Sequence, residues 1–184
     1  MSGTPQLLPL LTYENAPEGS RAILEPFRAR IPNLYAALAH SPGLLSTYRH
    51  GYEAFRNDGG FDATEQEVVF LAVSQFHDCR YCQAAHSAIA AANGVDPEVV
   101  RAVVTARPLA ASRLEALRRL TLELVDRRGY PSDATLAEFL AAGFSERQVL
   151  EIILAIAVKT ISNYTNHVIH TPIDERFARF APEP

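Results

Sequence analysis

Cys79-Arg80-Tyr81-Cys82-Gln83-Ala84-Ala85-His86 contains both cysteines of the chain and a histidine four residues past the second. On a helix each residue turns by about 100°, so Cys79, Cys82 and His86 fall within roughly 60° of one face. Two thiols one turn apart can close a disulfide: i,i+3 spacing sets their Cα atoms about 5 Å apart, inside the disulfide window. His86 is the i+4 neighbour of Cys82, within side-chain reach. It lies two turns from Cys79, about 10 Å along the axis, too far for a direct hydrogen bond. The spacing therefore assigns Cys82 as nucleophile, His86 as its base and Cys79 as the resolving thiol. A peroxide would oxidise Cys82 to a sulfenic acid, and Cys79 would condense with it to a disulfide. An external thiol or dithiol must then reduce the pair, with no bound cofactor needed.

The same residues admit other readings. Cys79, Cys82, His86 and either His77 or a glutamate could hold zinc, although three ligands on one helical face are crowded for a tetrahedron and no second Cys/His cluster completes the set. A metal-binding or redox-sensing protein without peroxidase turnover is thus the alternative to an enzyme. The cysteines could also be small buried hydrophobes, and His86 a bystander. Glu67 either caps a helix, as the fourth member of Thr64-x-x-Glu67, or points inward and orients His86 as a third relay member. Asp62-x-x-Glu65 competes for the same cap.

These side chains must be positioned by helices. The pattern predicts an extended segment over 1–20, with Pro5, Pro9, Pro17 and Gly19, followed by a single all-helical domain over 21–184. An interrupted helix is expected over 21–40, near Pro26 and Pro32, and Ser41-Pro42 opens another that runs to about Asn57. The helix over 64–77 is apolar all round and should be central. The CxxC helix is expected over 79–92, with Asp78 as N-cap, Cys79 at N1, Cys82 at N4 and Asn93-Gly94 closing it. A helix N-terminus favours thiolate. Further helices start at Asp96-Pro97, at the box Ser112-x-x-Glu115 and at Asp133. Ser145-x-x-Gln148 opens a long helix to about Ile169, nearly buried all round. No strand alternation is visible, so the class is all-α. Two long apolar helices in a chain of 184 residues suggest that neighbouring subunits cover part of them, as a homo-oligomer.

Composition narrows the function. A net charge of −4 argues against a nucleic-acid partner. Arg113, Arg118, Arg119, Arg127 and Arg128 are interleaved with Glu115, Glu123 and Asp126, as on a solvated helix face. No stretch approaches the ~18 apolar residues of a membrane span, and Met1–Leu11 lacks the features of a signal peptide. A cytoplasmic setting is expected, where CxxC reads as chemistry and not as a structural staple.

Glu67, then Cys79-x-x-Cys82-x-x-x-His86, resembles the alkylhydroperoxidase D branch of the carboxymuconolactone decarboxylase-like superfamily. Glu67-Val68-Val69, Val73-Ser74-Gln75, Ala142-Gly143-Phe144-Ser145 and Asn163-Tyr164-Thr165-Asn166-His167 before Thr171-Pro172 extend the likeness over roughly residues 25–180. The resemblance implies a helical bundle assembled as trimers or hexamers and a peroxidase acting on hydroperoxides. It places Glu67, Cys79, Cys82 and His86 in the relay and redox pair, with Cys82 peroxidatic. It also makes His77 and His167 candidates for the pocket. The best-known member has a histidine between its cysteines. Here that position is Tyr81, a candidate substrate wall or packing residue.

Overall fold

The computed structural model describes residues 7–182. They form helices α1 (Glu18–Leu24), α2 (Asn33–Leu38), α3 (Pro42–Asp58), α4 (Ala63–Phe76), α5 (Arg80–Ala92), α6 (Pro97–Val104), α7 (Ser112–Asp126), α8 (Asp133–Ala141) and α9 (Glu146–Ile169). Two 3-10 segments, Glu25–Phe27 and Glu175–Phe180, complete the described residues, which contain no strand. The all-α class expected from the sequence is the observed one. Of the segment expected to be extended over 1–20, residues 1–6 lie outside the described residues, and its last three residues are the start of α1.

The helix over 21–40 is broken where its prolines remove backbone donors. Pro26 falls in the first 3-10 segment and Pro32 is the N-cap of α2. Ser41 caps α3, accepting from Leu44 N at 3.4 Å, with Pro42 in the first turn. Two further caps differ from expectation. Ser112 is already helical: α7 starts after Ala111 without a side-chain cap, and the Glu115 carboxylate accepts from Leu109 N and from Arg118 instead. Ser132, not Asp133, caps α8 through Thr135 N.

Helix α4 is the hub. Its residues Glu65–Ser74 are all buried, and it packs against α5, α6, α7 and α9. Helix α9 opens on the expected Ser145/Gln148 box and ends where His170 enters the left-handed region at φ 55°. Its buried face carries Ile152, Ala155, Val158, Lys159, Ser162, Asn163, Asn166 and Ile169. This helical stripe is joined to α3 by a close approach at Gly51, where a Cβ would stand 2.8 Å from Val158 Cγ2. The all-round burial expected for α9 is not observed within this chain: Leu150, Ile153, Tyr164 and Val168 are exposed on its other side.

Candidate active site

The site begins at the joint between α4 and α5. Helix α4 closes with His77 as its last capped residue and Asp78 in the left-handed conformation at φ 53°. Asp78 N donates to Gln75 O at 2.9 Å and Cys79 N to Ser74 O at 2.8 Å, the paired bonds of a Schellman closure. Asp78 is therefore committed to ending α4 and does not cap α5, as the sequence suggested. Cys79 is the N-cap, with φ −88° and ψ 91° and no side-chain cap bond. Cys82 accordingly sits at N3, still in the first turn, where free N–H groups favour negative charge.

Both thiols are buried, Cys79 at 1% and Cys82 at 2% exposure. They share one amide: Asn166 Nδ2 lies 3.3 Å from Cys82 Sγ and 3.7 Å from Cys79 Sγ. Ser162 Oγ is 3.6 Å from Cys82 Sγ. Burial pushes the Cys82 thiol up, but the hydrogen bond from Cys79, the positive charge of Lys159 and the Ser162 hydroxyl outweigh it and hold Cys82 below the ordinary thiol range. Cys79 moves the other way, raised by its hydrogen bond to Cys82 and by burial. The two shifts are opposite in direction, which makes Cys82 the more acidic thiol of the pair and Cys79 the less acidic.

Glu67 is released from capping because the Asp62/Glu65 box forms, with bonds of 2.8 and 3.1 Å. Its carboxylate, 1% exposed, turns inward to His86 Nδ1 at 2.9 Å and to Arg56 Nη2 at 2.6 Å. Burial raises the Glu67 pKa, yet His86 and Arg56 overcome this and hold it below the usual carboxylate range. An ionised Glu67 accepts the Nδ1 proton and leaves Nε2 of His86 as the free lone pair. Burial and the Lys159 charge push His86 down to about 4, so the ring is neutral. His86 stands against the Phe70 ring at 4.7 Å between centroids. Among the described residues no hydrogen bond joins His86 to Cys82. The direct pairing expected from i,i+4 spacing is replaced by a thiolate that Lys159, Ser162 and Cys79 stabilise, with His86 held apart by Glu67.

Cys82, His86 and Lys159 line a cavity of about 230 Å³ walled by Tyr35, Tyr48 and Tyr52. Arg49 and Arg176 also line it, and no carboxylate does. Tyr81 borders the cavity as a strut. Its hydroxyl donates to Asp174 Oδ2 at 2.6 Å and accepts from Leu34 N at 3.2 Å, and Asp174 in turn accepts from Asn33 N. Burial and the bond to Asp174 raise the phenol well above its usual range, so it stays protonated. His167 lines a separate depression that includes Cys79 but not Cys82. His77 joins neither cysteine. It meets Asn163 Nδ2 at 3.0 Å and lines a separate hollow with Leu124 and Tyr164. Among the described residues no group of three or more His, Cys, Asp and Glu side chains is arranged to hold a metal ion.

The sequence reading passed over Arg56, Lys159, Ser162 and Asn166. One signal was available for Lys159. It is a lone charge within the apolar run of α9, and a buried cation there needs a reason. Its Nζ has no hydrogen-bond partner among the described residues.

Residues 42–123, from α3 into α7, match the model of the carboxymuconolactone decarboxylase family. No curated protein matches the chain in sequence. Among solved structures, the alkylhydroperoxidase AhpD core of a peroxidase-related protein from Ralstonia eutropha JMP134 superposes with a TM-score of 0.83 at 21% identity, over 96% of each chain. A peroxidase-related protein from Silicibacter sp. TM1040 gives 0.77 at 19% identity, over 94% of each chain. A cysteine-to-alanine variant of the debrominase Bmp8, bound to 2,3,4-tribromopyrrole, gives 0.70 at 17% identity, over 95% of this chain and 97% of that one. At these identities the likeness is one of fold.

Proposed function

We propose that this chain is a thiol peroxidase of the alkylhydroperoxidase D-like branch of the carboxymuconolactone decarboxylase superfamily, reducing organic hydroperoxides through Cys82 and Cys79; the family match over residues 42–123 and the likeness of fold support this reading. The observation that carries this reading is the placement of the pair: Cys82 lines the tyrosine-walled cavity with His86 and Lys159, and Cys79 shares the Asn166 amide with it outside that cavity. Cys82 Sγ attacks the terminal oxygen of the hydroperoxide. The S–O bond forms, the O–O bond breaks, and the alkoxide leaves, taking a proton from solvent to become the alcohol. Lys159 supplies positive charge where the alkoxide develops. The unprotonated Nε2 of His86, oriented by Glu67 and Arg56, serves proton transfer in the same cavity. Cys79 then attacks the sulfenic sulfur of Cys82, and hydroxide leaves as water with the Cys79 proton. An external dithiol reduces the resulting disulfide.

The tyrosine walls and the cations Lys159, Arg49 and Arg176 suit a small organic hydroperoxide, particularly one carrying an anionic group. A reducing compartment, the cytoplasm, would keep the resting pair as thiols. No helix among the described residues is long and apolar enough to cross a membrane. The exposed apolar stripe of α9 supports assembly as a homo-oligomer. A second reading keeps the thiolate and changes the electrophile: an aromatic-walled cavity beside Cys82 would also admit a flat halogenated ring, as the similar debrominase binds.

The test is stopped-flow consumption of cumene hydroperoxide by pre-reduced protein, with thiol counting. The expected result is loss of two thiols per hydroperoxide, far faster than for free cysteine at the same pH. Slow reaction with both thiols surviving, together with bromide release from a bromopyrrole, would move the assignment to the second reading.

A further inference from the structure

The two cysteines line different cavities. Cys82 lines the tyrosine-walled cavity and Cys79 does not. Cys79 lines a shallower depression of about 380 Å³, formed with Arg80, Asn166, His167, His170 and Thr171, and Cys82 does not. Tyr81 lines both and separates them, held in place by its bond to Asp174. Asn166 and Thr171 also line the depression, beside Cys79.

We propose that this depression is the docking site of the reductant, a small dithiol, so that hydroperoxide and reductant use separate mouths, one at Cys82 and one at Cys79. This rests on the redox-pair reading above and adds where the second half of the cycle occurs. An incoming thiolate attacks Cys79 Sγ. A bond forms between the external sulfur and Cys79, the Cys79–Cys82 bond breaks, and its electron pair leaves on Cys82 as thiolate. The second thiol of the reductant, as thiolate, then attacks the external sulfur of the mixed disulfide. The reductant departs as a cyclic disulfide, and Cys79 leaves as thiolate and takes a proton. Two electrons pass from dithiol to protein. Direction and access agree, because exchange is faster when the sulfur with the lower thiol pKa is the leaving group. Lys159, Ser162 and Asn166 all stand ready to receive the charge that returns to Cys82.

The experiment starts from protein oxidised with diamide, so it does not depend on peroxide turnover. The disulfide is challenged with glutathione, quenched in acid, and the mixed disulfide located by mass spectrometry. The adduct is expected on Cys79 with Cys82 free; an adduct on Cys82, or equally on both, overturns the proposal. Ile173 borders the depression, and Ile89 the tyrosine-walled cavity. Ile173→Trp is expected to slow reduction of the disulfide by dithiothreitol at least about fivefold, and Ile89→Trp to leave that rate within about twofold. Equal rates for Ile173→Trp and wild type would overturn the proposal even if no adduct is trapped. Failure of the peroxidase reading would show separately, as no thiol loss with cumene hydroperoxide in unmodified protein.

Discussion

At the scale of single residues, Lys159 links the two reactive groups. It is 1% exposed, on the buried face of α9, and its charge lowers the pKa of both Cys82, after the Cys79 hydrogen bond, and His86, after burial. Because the folded-state pKa of Cys82 is depressed, the thiolate is present at neutral pH and is lost only as pH falls through that lowered value. Peroxide reactivity should therefore stay level from mildly alkaline to neutral pH and fall on the acid side. In Lys159→Met the inflection should move up toward the ~8.5 of an ordinary thiol, with at least about a tenfold loss of rate at neutral pH. The same variant should be no more stable than the wild type at neutral pH, since it removes the cation that offsets charge on buried Cys82. A rate profile unchanged by the substitution would remove Lys159 from the mechanism. Glu67 shows how far such roles were readable. Its type and spacing suggested either a cap or a relay member, and local sequence offered two overlapping boxes. Only the formation of the Asp62/Glu65 box, a matter of where the chain enters α4, sends Glu67 inward. Arg56, by contrast, reaches the site from α3 through tertiary packing, with no local pattern to announce it.

At the scale of elements, the joint between α4 and α5 sets the cysteine geometry. The CxxC helix was legible within one residue, but its cap was not. Asp is a good N-cap by type, and nothing local reveals that Asp78 is spent on the left-handed closure of α4. Placing Cys79 at the cap moves its side chain toward the depression with His167, while Cys82, three residues on, faces the tyrosine cavity. Tyr81 then ties α5 to the 3-10 segment and to α2 through Asp174 and Leu34 N. Tyr81→Phe removes a bond of 2.6 Å to a buried carboxylate and should cost about 1–3 kcal/mol of stability. Denaturant unfolding measures this directly. The rate of thiol loss to hydroperoxide should change little, because Tyr81 acts as a strut and not as a proton donor. A large loss of rate with unchanged stability would instead give Tyr81 the chemical role of the histidine that stands between the cysteines in the best-known member of the family.

At the scale of the molecule, the helical class was fully legible, because 3.6-residue periodicity and capping boxes recur along the chain. The surroundings of α9 were not. Its apolar residues encircle the helix, but one chain supplies neighbours for only one side, and Leu150, Ile153, Tyr164 and Val168 remain outside at 66%, 46%, 54% and 58% exposure. An apolar stripe of this kind marks an association surface. Light scattering on the eluted protein should show a multiple of the 20.2 kDa chain, and Leu150→Glu with Ile153→Glu should shift it toward the monomer. A wild-type monomer at micromolar concentration would contradict that expectation.

The central claim is that Cys82 meets the oxidant and Cys79 resolves it. The most direct measurement treats Cys79→Ser and Cys82→Ser proteins with one equivalent of cumene hydroperoxide, traps sulfenic acid with dimedone and locates the adduct by mass spectrometry. Rapid labelling at Cys82 in Cys79→Ser, with none in Cys82→Ser, is the predicted result. Labelling of Cys79 in Cys82→Ser at a comparable rate would reverse the assignment and contradict the account.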